Sequence, residues 1–195
     1  MSATPGKVPG MAMQARERFA ALVEEFRAIQ TSAASLVDGL TDEQARWRPS
    51  PEQWSIAECL IHLNTATKGY LERLERANRE ARESDNPSLH STLFGRAFIW
   101  WMEPPVRMRA PAPKGFLPPP PTERIEDIMG AFTAMNDRLS SAAADAARRD
   151  FTGVTISSPV TRKLRFTVSD TFRFIAAHER RHLWQASKIR QALTG

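Results

Sequence analysis

The chain has 195 residues, 42% apolar and 25% charged, with a net charge of +5 from 27 basic and 22 acidic side chains. A chain of this length is one domain with a proper core, and the composition excludes global disorder. The basic excess is spread along the sequence without a block of five like charges, so no concentrated patch exists for reading nucleic acid.

Residues Met1 to Gly10 read as a flexible tail, because Pro5, Gly6, Pro9 and Gly10 interrupt any pattern and no apolar signal-peptide core is present. Residues 11–195 are expected to form a single domain. No apolar run nears the ~20 residues of a membrane span. The lone Cys59 excludes an intramolecular disulfide framework. Together these place the protein in the cytoplasm, with no membrane partner.

The first helix is expected from Ala12 to Val37. Phe19, Leu22, Phe26, Ile29, Ala33 and Leu36 step by three and four, as one buried face requires. Gly39 breaks it, and Thr41 to Gln44 has capping-box spacing for one short turn before Pro49 and Pro51. A second capping box, Ser55 to Glu58, opens a helix running through Leu74 to about Ala81. On that helix Cys59, His62, Ala66 and Gly69 form a stripe of small residues around one imidazole. After Ser84 the pattern stops, and Leu93, Phe94, Phe98 and Trp101 predict a short amphipathic helix.

Eight of the fourteen prolines fall between Pro104 and Pro121. Proline lacks the amide donor and fixes φ, so this stretch reads as a stiff crossover between helices. A third long helix is expected to open at Thr122, with Ile125, Ile128, Phe132, Met135 and Leu139 on its apolar face, and to end near Arg148. Phe151 to Phe166 reads as a loop with a short β excursion at Val154 and Ile156. The last helix begins between Thr167 and Asp170 and reaches about Leu193. The expected fold is all-α, a four-helix bundle with a long crossover between its second and third long helices.

On the last helix Phe172, Ile175, His178, His182, Gln185 and Ile189 share one core-facing stripe. An unpaired buried imidazole is costly, and a metal satisfies two of them at once. The run His178-Glu179-Arg180-Arg181-His182 matches the HExxH pattern of zinc proteases, but Leu183 to Gly195 holds no His, Asp or Glu to serve as the downstream third ligand. That ligand must come from upstream, and the candidates are His62 and His90. His90 sits in a polar connector and reads as a solvated loop residue, so His62 is chosen. Three neutral imidazoles suit Zn, Ni, Fe or Cu with coordination positions left open.

Trp54-Ser55-Ile56-Ala57-Glu58-Cys59-Leu60-Ile61-His62-Leu63, followed by His178-Glu179-Arg180-Arg181-His182-Leu183-Trp184-Gln185, resembles the DinB-like superfamily of YfiT-type metal-dependent hydrolases and thiol S-transferases. The similarity spans Met11 to Leu193. It implies a bundle of up-down-down-up order, often a homodimer, and a divalent transition metal (Zn, Ni or Fe) held by His62, His178 and His182. It also implies a small-molecule electrophile as substrate and, in some relatives, a low-molecular-weight thiol as cofactor. Glu179 is then a catalytic base or an anchor beside the ligands, its bland alternative being a surface partner of Arg180 or Arg181. Cys59 is expected near the site but not as a ligand. Trp47, Trp54 and Trp184 are candidates for an aromatic wall, and Arg48, Arg180 and Arg181 for carboxylate recognition. A non-catalytic metal-binding or sensor-type bundle is the alternative to an enzyme.

Overall fold

The computed structural model describes residues 9–85, 87, 90–107, 112–161 and 163–194. Residues 1–8 of the expected tail, 86, 88 and 89 beside His90, and 108–111 of the proline-rich stretch lie outside the described residues. The six α-helices are α1 (Pro9–Val37), α2 (Asp42–Arg46), α3 (Ile56–Glu80), α4 (Leu93–Met102), α5 (Ile125–Ala146) and α6 (Val168–Thr194). A 3-10 turn covers Lys114–Phe116. Two short antiparallel ribbons complete the order: β1 (Arg82–Glu83) with β2 (Arg149–Asp150), and β3 (Thr155–Ser157) with β4 (Arg165–Thr167).

α1 starts at Pro9, earlier than Ala12, because proline at a first helical position loses no bond. It ends where Gly39 takes a φ of +71°, a left-handed conformation that glycine adopts without strain. Both expected capping boxes form, at Thr41 and at Ser55. α5 begins at Ile125 rather than Thr122. Its first amide is capped from α2, the Ile125 N–H donating to Asp42 Oδ1 at 2.8 Å. Arg46 of the same short helix donates to the Glu123 carbonyl at 2.7 Å, so α2 holds the end of the crossover.

Paired residues give the helix directions. Asn64 bonds the Ile128 carbonyl, Arg138 bonds Glu75 and Asn78 bonds the Ala142 carbonyl, so α3 and α5 are parallel. Gln30 meets Asp137 while Asp42 meets Ile125, so α1 opposes α5. Phe19 meets Phe172, Glu25 meets Arg180 and Arg190 meets the Leu36 carbonyl, so α6 runs with α1. The order along the chain is therefore up, down, down, up. Each of α1 and α3 packs on both α5 and α6.

The core is filled by Phe19, Phe26, Phe132 and Phe172 with leucines of α3, all fully buried. Phe172 stands edge-on to Phe19 and Phe26 at centroid distances of 6.1 and 6.4 Å. Each such ring removed from water stabilises the fold by roughly 1.5–3 kcal/mol. The β1–β2 ribbon has no local signal in its charged residues. It forms because parallel α3 and α5 deliver their C-terminal ends side by side. No helix among the described residues is long and apolar enough to cross a membrane.

Candidate metal centre

α3 and α6 are antiparallel neighbours, and their facing stripes bring the three expected histidines together. One nitrogen from each of His62, His178 and His182 lies within 4.8 Å of the other two. His62 Nε2 and His178 Nε2 are 3.2 Å apart. The ring centroids are 4.5 to 5.1 Å from one another. His62 is buried, whereas His178 keeps partial contact with solvent.

Protonation states follow from the surroundings. Burial pushes all three imidazoles below their ordinary pKa, His178 to about 3, with the neighbouring imidazoles and the Arg181 charge adding to the effect at His178 and His182. All three are neutral near pH 7. His62 Nδ1 is 2.7 Å from the Phe116 carbonyl oxygen, which can only accept. Nδ1 therefore carries the proton and donates, leaving the Nε2 lone pair aimed at the centre of the group.

These residues fit a divalent cation. Nitrogens bound tetrahedrally at ~2.0–2.1 Å stand about 3.3 Å apart, close to the 3.2 Å between His62 and His178. Two imidazole nitrogens at that distance satisfy each other only when one carries a proton, whereas a shared cation satisfies both. The His182 Nδ1 is buried and has no hydrogen-bond partner among the described residues.

Glu179 is fully buried, so it is not a surface partner of its neighbouring arginines. It accepts from Thr67 Oγ1 at 3.3 Å, and its carboxylate is outside the histidine group. Burial raises its pKa to about 8, against the opposing effect of bonds from Thr67 and Asn136. Glu179 Oε2 and Asn136 Oδ1 have no hydrogen-bond partner among the described residues. Cys59 is a fully buried free thiol whose pKa burial raises strongly, and it is not in the group. His90 is exposed, and its carbonyl accepts from Thr167 Oγ1 at 2.7 Å. It borders a cavity of about 300 Å³ beside Val168, about 15 Å down α6 from His178 by helical rise.

The aromatic wall forms in part. Trp54 packs on His62 and His182, at 4.9 and 5.6 Å, while Trp184 is 37% exposed under Lys188. Trp47 is also exposed. Arg48 and Arg180 are each paired with glutamate. Arg48 grips the buried Glu58 through both carboxylate oxygens, and Arg180 bonds Glu25 and Glu103. Burial would raise the Glu58 pKa, but Arg48 and Ser55 outweigh it and hold the carboxyl low.

Two contributors escaped the sequence reading. The Phe116 carbonyl comes from the 3-10 turn inside the proline-rich crossover, 54 residues from His62. No side-chain pattern signals a carbonyl. Phe174 stacks on His178 at 5.7 Å; its position one turn before His178 was the available clue.

A family model described as the DinB superfamily matches residues 14–186. The chain is also similar to the uncharacterized protein YuaE of Bacillus subtilis (strain 168), 30% identical over 160 residues, covering 80% of this chain and 88% of that protein. No solved structure matches. The match across nearly the whole helical assembly, with three histidines gathered from two of its helices, makes this chain a member of the DinB superfamily.

Proposed function

We propose that this protein is a metal-dependent enzyme that uses His62, His178 and His182 to hold a divalent transition metal (Zn, Ni or Fe). Its reaction would be transfer of a thiol to, or hydrolysis of, a small electrophilic substrate. The observation that carries the reading is the convergence of three neutral imidazoles, one with its tautomer fixed by the Phe116 carbonyl. The cation supplies Lewis acidity, which lowers the pKa of a thiol or a water. The protein's own groups do the rest. Phe116 orients His62, Trp54 shields two rings from water, and the partial exposure of His178 leaves a way in.

Among the described residues no carboxylate joins the group. A low-molecular-weight thiol ionises more readily than water, so we favour it as the nucleophile. Of the two roles expected for Glu179 we favour anchoring: buried against Thr67, it fixes the turn of α6 that carries His178. The same lack of a base supports a second reading, a non-catalytic metal-binding or sensor-type bundle. We place the protein in the cytoplasm with small-molecule ligands only. The exposed Leu93, Phe94 and Trp100 of α4 support a homodimer.

The test is metal content by plasma mass spectrometry on protein purified without a nickel column, for wild type and the three His→Ala variants. About one ion per chain, lost in each variant, is expected, followed by thiol transfer to model electrophiles. Loss of stability without any turnover on metal removal would select the second reading. No metal after reconstitution with Zn, Ni or Fe would end both.

A further inference from the structure

The capping boxes at Thr41 and Ser55 are built alike but set differently. The box at Thr41 closes with Gln44, which is neutral and exposed. The box at Ser55 closes with Glu58, a carboxylate only 1% exposed at the start of α3. A cap needs only an acceptor for an orphan amide, which a neutral side chain supplies, whereas a buried carboxylate is costly unless its charge is met. Here it is met by Arg48, from the loop before α3. Arg48 Nε donates to Glu58 Oε2 at 2.8 Å and Nη2 donates to Oε1, so one planar fork holds both oxygens. This is more than capping requires.

The surroundings of the pair show what else it holds. Glu58 Oε2 also accepts from the Ser55 N–H at 2.8 Å. That N–H belongs to the planar peptide joining Trp54 to Ser55, so the carboxylate fixes the backbone from which the indole projects. Arg48 Nη1 donates to the Pro51 carbonyl at 3.3 Å and so ties down the loop that leads to Trp54. Trp54 precedes the N-cap, a position whose side chain in a hydrophobic staple packs on the fourth helical residue, here Cys59. Its ring reaches further. It lies 4.9 Å from His62, a turn beyond Cys59, and stacks on His182 of α6 at 5.6 Å with 21° between the planes.

We propose that Arg48 and Glu58 are positioning residues of the histidine site: their ion pair holds the Trp54 indole against His62 and His182 and so keeps both imidazoles in a ligating orientation. This rests on the metal reading for the ligating role, whereas the hold on the two rings belongs to the protein alone. Glu58 is outside the histidine group, so it acts through Trp54 and not as a ligand.

The experiment compares wild type with Arg48→Met, Arg48→Lys, Glu58→Gln, the double variant Arg48→Met/Glu58→Gln, and Gln44→Ala, which opens the box at Thr41. Each is measured by urea unfolding, by competitive chelator titration of zinc and by the visible absorption of the cobalt(II)-loaded protein. NMR of the metal-free protein adds the ring-proton shifts of His62 and His182, which the nearby indole displaces. Glu58→Gln keeps an acceptor for the cap but loses the charge that Arg48 grips. Arg48→Met and Glu58→Gln should each weaken zinc binding about tenfold, alter the cobalt band and move the ring-proton shifts. Arg48→Lys keeps the charge without the fork and should fall between wild type and Arg48→Met; it also serves if Arg48→Met does not fold. The double variant should lose no more than the worse single one, since the two side chains act as a unit. Gln44→Ala should lower the urea midpoint and leave the other readings at wild-type values. If Arg48→Met and Glu58→Gln behave like Gln44→Ala, the pair is a cap and nothing more, and the proposal is overturned. If wild type retains neither zinc nor cobalt, the metal reading fails and the ring-proton shifts decide alone. Shifts that move in both variants uphold the hold on the two rings, and shifts that stay sink it.

Discussion

Acidification of the chelator-treated protein should unfold it along a predictable course. The three imidazoles have pKa values below the ordinary 6.5 in the native state, His178 near 3, so below pH 6.5 the unfolded chain binds more protons at these groups than the native state does. Stability from that source is present above pH 6.5 and is lost as pH falls. Glu179 acts oppositely. Its native pKa of about 8 lies above the ordinary 4.5, so between those values the native state holds one proton that the unfolded chain lacks. His178 alone offsets Glu179, and the lowered pKa values of His62 and His182 tip the balance, so stability should fall as pH drops from 6.5 toward 4.5. Between pH 6.5 and 8 only Glu179 counts, and stability should fall by about 1.4 kcal/mol per unit as pH rises. The maximum is therefore near pH 6.5. Urea unfolding at half-unit intervals from pH 4.5 to 8.5 measures both limbs, and Glu179→Gln should remove the alkaline limb alone. A flat profile from pH 6.5 to 5 would refute the reasoning, since the imidazoles would then be charged in the folded protein and unfit as ligands.

Removing the Asp170 carboxylate strands the Thr92 amide and the Ser91 hydroxyl, so Asp170→Ala should cost about 3 kcal/mol. A Cβ at Gly95 would stand 2.3 Å from Asp170 Oδ2. Gly95→Ala should cost about 1–3 kcal/mol in wild type and clearly less in the Asp170→Ala background, as four urea midpoints would show. Asp42→Ala should lower stability by about 1 kcal/mol in the same assay through loss of the cap on α5, although Asp42 lies in α2. Trp54→Ala should lower zinc affinity in a competitive chelator titration, because two of the rings it packs on would gain solvent.

The apolar spacing of three and four residues was enough to establish the long helices, and Thr41 and Ser55 marked the starts of α2 and α3, because caps and helix faces depend on residues within one turn. The i, i+4 spacing of His178 and His182 likewise placed both imidazoles on one face from sequence alone. Where a feature depended on another element, sequence spacing was silent. The start of α5 is fixed by Asp42, 83 residues earlier, and the β1–β2 ribbon by the parallel run of two helices. The surroundings of Glu179, Arg48 and Arg180 were set by partners distant in sequence: Glu179 is buried against Thr67, and Arg48 and Arg180 are paired with glutamates.

The sequence by itself singled out the three histidines, since only four exist and helical periodicity puts three of them on faces that can meet. Only the tertiary structure decided their protonation, their tautomer and their companions. Those depend on burial and on a carbonyl brought from the proline-rich crossover, and neither is written in the local pattern around His62.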